Sequence, residues 1–101
     1  MWGDFGLLGD FFGVAKTVKW GIVYSAFKHG ITEESIYSCL FNVRGGKLLD
    51  DPPPKHLLAG FDHSGNALEL VTIEKEDANL LLVIHAMKLR KENMYLLEGD
   101  Y

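Results

Sequence analysis

His85 ends the apolar run Leu80 to Ile84, and the cations Lys88, Arg90 and Lys91 follow it directly. An imidazole beside cations suits metal-independent cleavage of a phosphodiester. That chemistry needs a base for the 2′-hydroxyl, donors for the crowded phosphate and an acid for the leaving oxygen. Imidazole can perform either proton transfer near neutral pH. His85 is therefore the candidate catalytic group. If Leu81 and Val83 share its face, the ring starts among apolar groups and ends at a rim. Arg90 is the preferred phosphate clamp, because its planar fork makes bidentate contacts, and Lys91 stands beside it. Lys88, Tyr95 and Lys28 are candidate substrate-binding residues. Tyr95 shares a helical face with Lys91 and offers a ring to a base or a hydroxyl to a phosphate. The competing reading is structural. In it His85 bonds the backbone at a strand–helix junction, the cations form a solvated face and Tyr95 packs the helix onto the sheet.

The remaining reactive side chains carry weaker signals. His29 follows a predicted helix and suits the C-terminal carbonyls. Asp62 and His63 belong to a hairpin turn, with Asp62 bonding its own backbone. Glu69 alternates with apolar strand neighbours; it has the chemistry of a base, but an exposed strand carboxylate is the default reading. For His56 the sequence pattern names no role. The four histidines include no i, i+4 pair, so neither metal nor other cofactor is expected. Cys39 falls on an apolar helix face and reads as a buried hydrophobe rather than a nucleophile. As the single cysteine it forms no internal disulfide, which fits a reducing cytoplasm.

The elements that must position these groups follow from pattern. A chain of 101 residues, 48% hydrophobic and 24% charged, suits one globular domain. Residues 17–101 are read as that domain, and residues 1–16 as an aromatic, glycine-rich extension that packs on it or on a second copy in a homodimer. Trp20, Val23, Tyr24 and Phe27 recur at helical spacing, which predicts a helix over 17–29 ending at Gly30. Thr32 is a good N-cap for a second helix, with Glu33 and Glu34 at its positive end and Ile36, Cys39, Leu40 and Val43 as its apolar stripe. Gly45-Gly46 ends the helical half. Lys47 to Asp50 reads as a short edge strand, and Pro52 to Pro54 as a stiff bridge. Strands follow over His56 to Phe61, Asn66 to Glu74 and Leu80 to Met87, the last central, then a helix over Lys88 to Leu97. The expected fold is α+β, with two N-terminal helices, a small antiparallel meander of three to four strands and a C-terminal helix. A net charge of -4 counts against nucleic-acid binding through bulk charge and demands a local basic patch. Acidic residues at the start of the second helix disfavour DNA reading. Neither a secretory signal nor a bilayer-spanning run is apparent, so a soluble, cytoplasmic protein is expected.

Three segments, in order, carry a family resemblance: K-H-G-I-T-E-E (Lys28 to Glu34), the G-x-D-x-x-G-x-x-L-E-L hairpin (Gly60 to Leu70), and V-I-H-A-M with the basic stretch ending in Tyr95. Together they resemble the BrnT-like toxins of type II toxin–antitoxin systems, over roughly residues 19 to 97. The resemblance implies a RelE-like fold, metal-independent endoribonuclease activity on RNA, and a ribbon-helix-helix antitoxin as partner. His85 and Met87 stand where such chains usually carry a serine and an arginine, and those chains are commonly more basic. A non-catalytic interaction module of the same fold is the alternative.

Overall fold

The computed structural model describes residues 2–5, 18–49, 54–75 and 78–98. Most of residues 1–16, Asp50, Pro52 and Pro53 lie outside them, and with them the proposed dimer contact and proline bridge. Six strands form one mixed sheet among the described residues: β1 (Trp2–Phe5), β2 (Val18–Ile22), β3 (Val43–Leu49), β4 (Lys55–Phe61), β5 (Ala67–Lys75) and β6 (Leu80–Lys88). Their spatial order is β1-β2-β6-β5-β4-β3. One α-helix, α1 (Glu33–Phe41), and two 3-10 helices, Tyr24–Phe27 and Lys91–Glu98, complete the described elements.

This corrects the expected α+β architecture, and the RelE-like arrangement is set aside. Residues 18–22 are a strand, not the start of a helix. Val18, Trp20 and Ile22 alternate with Lys19 and Gly21, and this period of two competes with the helical stripe. Trp20 and Ile22 are buried, whereas Tyr24, assigned to that stripe, is 92% exposed. Two observations favour the strand: β2 pairs parallel with β6, Trp20 opposite Leu81, and the Val23 amide donates to the Val83 carbonyl at 3.0 Å. Gly45 and Gly46 do not end a helix; they lie inside β3. The C-terminal α-helix is replaced by a continuation of β6 through Lys88 and then a 3-10 helix, in which Asn93 and Leu96 are buried at the i, i+3 spacing of that geometry.

α1 forms for the local reasons its sequence gives. The Thr32 hydroxyl accepts from the Ser35 amide at 3.1 Å, Glu33 and Glu34 occupy the first turn, and Ile36, Cys39 and Leu40 are buried. The Asn42 side chain donates to the Ser38 carbonyl at 3.0 Å, satisfying an acceptor at the far end. β4 passes so close beneath this end that a Cβ on Gly60 would lie 2.5 Å from the Asn42 carbonyl oxygen, so a side chain there forces the backbone apart.

The sheet is covered on both faces. On one, α1 and the Tyr24–Phe27 segment pack over Trp20, Leu58, Leu68, Leu70, Leu81 and Val83. On the other, the C-terminal segment lays Leu89, Leu96 and Leu97 over Leu57, Ala59 and Val71. No helix among the described residues is long and apolar enough to cross a membrane.

Candidate functional site

His85 owes its orientation to an irregularity in β6. Thr72 on β5 pairs with Val83, but the next residue back, Val71, pairs with His85, so Ile84 is the extra residue of a β-bulge. Without the bulge, His85 would share the parity of Leu81 and Val83 and point into the α1-covered core. With it, Ala86 takes the core position and is fully buried. His85 turns to the opposite face, beside Val71. The expectation that Leu81 and Val83 share its face is thereby corrected.

On that face the ring meets Glu69. This carboxylate is completely buried and is the hub of the site. It accepts from the Arg90 amide at 3.0 Å, from Arg90 Nε at 3.0 and 3.2 Å, from Arg90 Nη2 at 2.8 Å and from Asn93 Nδ2 at 3.1 Å. Burial pushes the carboxyl pKa up, but the bonds from Arg90 and Asn93 outweigh it and hold Glu69 below the usual carboxylate range. It is ionised at neutral pH. His85 Nε2 lies 3.9 Å from Glu69 Oε2, too long for a hydrogen bond but close enough for strong electrostatic coupling.

The second histidine comes from the segment after Tyr24–Phe27. β2 pairs with β6 only as far as Val83. Beyond that point the chain turns through a 3-10 helix, and Gly30, at φ +80°, receives the turn. This carries His29 alongside the upper part of β6, where its ring stands 5.3 Å from that of His85 in an edge-to-face arrangement. His29 is exposed and His85 is about a quarter exposed. Burial is the largest influence on His85 and lowers its pKa. Glu69 opposes this, while His29, Arg90 and Lys28 add to the lowering. The net effect keeps His85 neutral at pH 7, the form that accepts a proton.

The residues expected at a site divide cleanly. His85 and Arg90 converge on the same carboxylate oxygen, and Lys28 lies close enough to influence His85. Arg90 is not a free clamp: Nε and Nη2 are committed to Glu69, and Nη1 lies 3.9 Å from Glu92. Lys88 is paired opposite Leu68, on the parity of the other sheet face. Lys91 is exposed at the start of the 3-10 helix and joins none of these contacts. Tyr95 lies with its ring 5.8 Å from Lys47 Nζ. Lys47 is on β3, three strands from β6, or roughly 14 Å at the usual strand spacing. The rim therefore consists of His29, His85 and Arg90 over the buried Glu69, with Asn93 behind and Lys28 beside it.

Glu69, Asn93 and His29 were missed or assigned other roles by sequence reasoning. Glu69 had a usable signal: Val71 and Ile73 share its parity, so that face of β5 is apolar and covered, and a carboxylate there requires partners. Cys39, by contrast, behaves as expected. Burial, then the Asp62 charge, pushes its thiol up to about 12, so it stays protonated and unreactive. No three His, Cys, Asp or Glu side chains among the described residues are placed to hold a metal ion. No protein-family model, curated protein or solved structure is similar enough to the chain to place it in a family.

Proposed function

We propose that the chain is a BrnT-like toxin of a type II toxin–antitoxin module, acting in the cytoplasm as a metal-independent endoribonuclease. One observation carries the reading. Each of the three segments that bear the resemblance contributes one titratable residue, and those three meet: His29 lies in the K-H-G-I segment, Glu69 in the hairpin and His85 in I-H-A-M. Neutral His85 takes the 2′-hydroxyl proton, whose oxygen then attacks the adjacent phosphorus. His29, when protonated, delivers a proton to the departing 5′-oxygen. The products are a 2′,3′-cyclic phosphate and a free 5′-hydroxyl. Glu69 fixes Arg90 and faces His85 as a positioning carboxylate, and Lys28 brings positive charge for the phosphate. A ribbon-helix-helix antitoxin would inhibit by covering this rim.

The test is incubation of the purified chain with RNA in the presence of a chelator. Cleavage with cyclic-phosphate ends is expected, and His85→Ala should lower its rate about 10²–10⁴-fold with little change in thermal midpoint. Intact RNA would overturn the proposal. The engagement of Arg90 by Glu69 favours a second reading, in which the cluster only clamps the C-terminal segment and the domain binds a partner protein. In that case the chain leaves RNA intact and still captures its antitoxin.

A further inference from the structure

Beside His29 the surface sinks into a depression of about 320 Å³ lined by Tyr24, Ser25, Phe27 and Lys28. That volume is at the lower end of the range for small-ligand sites, about 300–1,000 Å³. The residues lie on a tightly closed unit. The Ala26 amide donates to the Val23 carbonyl at 3.0 Å, Lys28 to Ser25 at 3.3 Å and Gly30 to Phe27 at 3.0 Å. In a 3-10 helix residues i and i+3 fall on the same side, which puts the positions of Tyr24 and Phe27 on one side of the turn. Phe27 is half-buried and packs against the core, whereas Tyr24 is almost wholly exposed. An exposed aromatic ring on the same short helix as an anchored one, with a cation next in line, has the make-up of a stacking platform for unpaired bases.

We propose that Tyr24 and Phe27 form a nucleobase-stacking subsite, which holds a base of single-stranded RNA while Lys28 meets its phosphate and leads the strand to the His29–His85 pair. This rests on the endoribonuclease reading and names the form of substrate that site takes. Lys28 and His29 are consecutive, so a nucleotide seated in the depression adjoins the phosphate at the histidines. The strand must be unpaired, because a base in a duplex has no free face to offer the ring. The remainder of the chain is acidic, so stacking and one local cation would supply affinity that overall charge does not.

The experiment separates binding from cleavage. A short 2′-O-methyl RNA oligonucleotide, which lacks the attacking hydroxyl, carries 2-aminopurine as its fluorescent base. Binding to the wild-type chain should quench the fluorophore. Tyr24→Ala should weaken binding about tenfold and relieve the quenching, Tyr24→Phe should preserve both, and Tyr24→Ala should raise KM for cleavable RNA with little change in kcat. Quenched binding by a chain that cleaves nothing would support the subsite while removing the nuclease. Cleavage with equal binding by wild type and Tyr24→Ala, or no binding by the wild-type chain, would overturn the subsite.

Discussion

Among the described residues two carboxylates are buried, and they are satisfied in different ways. Asp62 takes its bonds from its own turn: Ser64 and Asn66 donate their amides to Oδ1 at 2.9 and 2.8 Å, and Asn66 Nδ2 donates to Oδ2 at 3.1 Å. Only the Ser35 hydroxyl, at 3.0 Å, comes from elsewhere. Glu69 takes every bond from Arg90 and Asn93, in the segment that follows β6, more than twenty residues along the chain. Burial raises the pKa of both and hydrogen bonds more than reverse it, with the Arg90 charge assisting at Glu69 alone. The first acid stabilises a turn by itself. The second holds two distant parts of the chain together and places a guanidinium beside an imidazole. A buried acid satisfied locally reads as architecture, whereas one satisfied from a distance, next to half-exposed titratable groups, marks a candidate site.

The largest test of this contrast is Arg90→Ala. It leaves a buried carboxylate without its ionic partner and should cost about 3 kcal/mol in chemical denaturation. We take the lower end of the usual range because the guanidinium is half exposed. Replacing both partners, Glu69→Met with Arg90→Leu, should recover most of that loss. If the single variant is as stable as the wild type, Glu69 is not the hub described above.

Asp62→Ala should cost less, about 1–2 kcal/mol, because the turn amides it frees lie at an exposed tip and can bind water. Activity per folded molecule should be unchanged. A loss of RNA cleavage in a well-folded Asp62→Ala chain would remove the distinction between the two acids.

The smallest effect is the response to pH. The His85 pKa is lowered on folding, so the unfolded chain binds the proton more readily. The stability linked to His85 is complete above its ordinary value of 6.5 and is lost as pH falls through its folded pKa. Glu69 and Asp62 act in the same direction in a lower window. Their contribution is complete above the ordinary values of 4.5 and 3.8 and disappears as pH falls through the folded ones. Urea titrations across pH should show His85→Gln flattening only the upper window and Asp62→Ala only the lower. A His85→Gln chain that keeps the wild-type slope near pH 6 would contradict the assigned environment.

The same contrast explains what the sequence disclosed. The Asp62 turn was legible because its chemistry is contained in five consecutive residues, and the Thr32 cap for the same reason. The strand segments read on either side of that turn, His56 to Phe61 and Asn66 to Glu74, match β4 and β5 to within one residue at each end. The architecture was not legible, because Trp20, Val23, Tyr24 and Phe27 fit a helical period by coincidence while Val18, Trp20 and Ile22 obeyed a strand's, and pairing with β1 and β6 favours the latter. The direction of His85 depends on one extra residue, Ile84, whose presence in a bulge no composition announces. Arg90 was recognised for its charge, but its engagement depends on Glu69, whose burial follows from the C-terminal segment folding over that face.

The parallel contact between β2 and β6 sets an order of assembly. Lys19 pairs with Leu80, and α1, β3, β4 and β5 are all made between them. Such a distant pairing forms late, after the loop between its ends has been closed at an entropic cost. A chain still emerging from the ribosome therefore carries His29 with nothing to set it against. Products truncated before β6 hold half of the histidine pair, so whatever reactivity the pair confers waits on the synthesis of that strand.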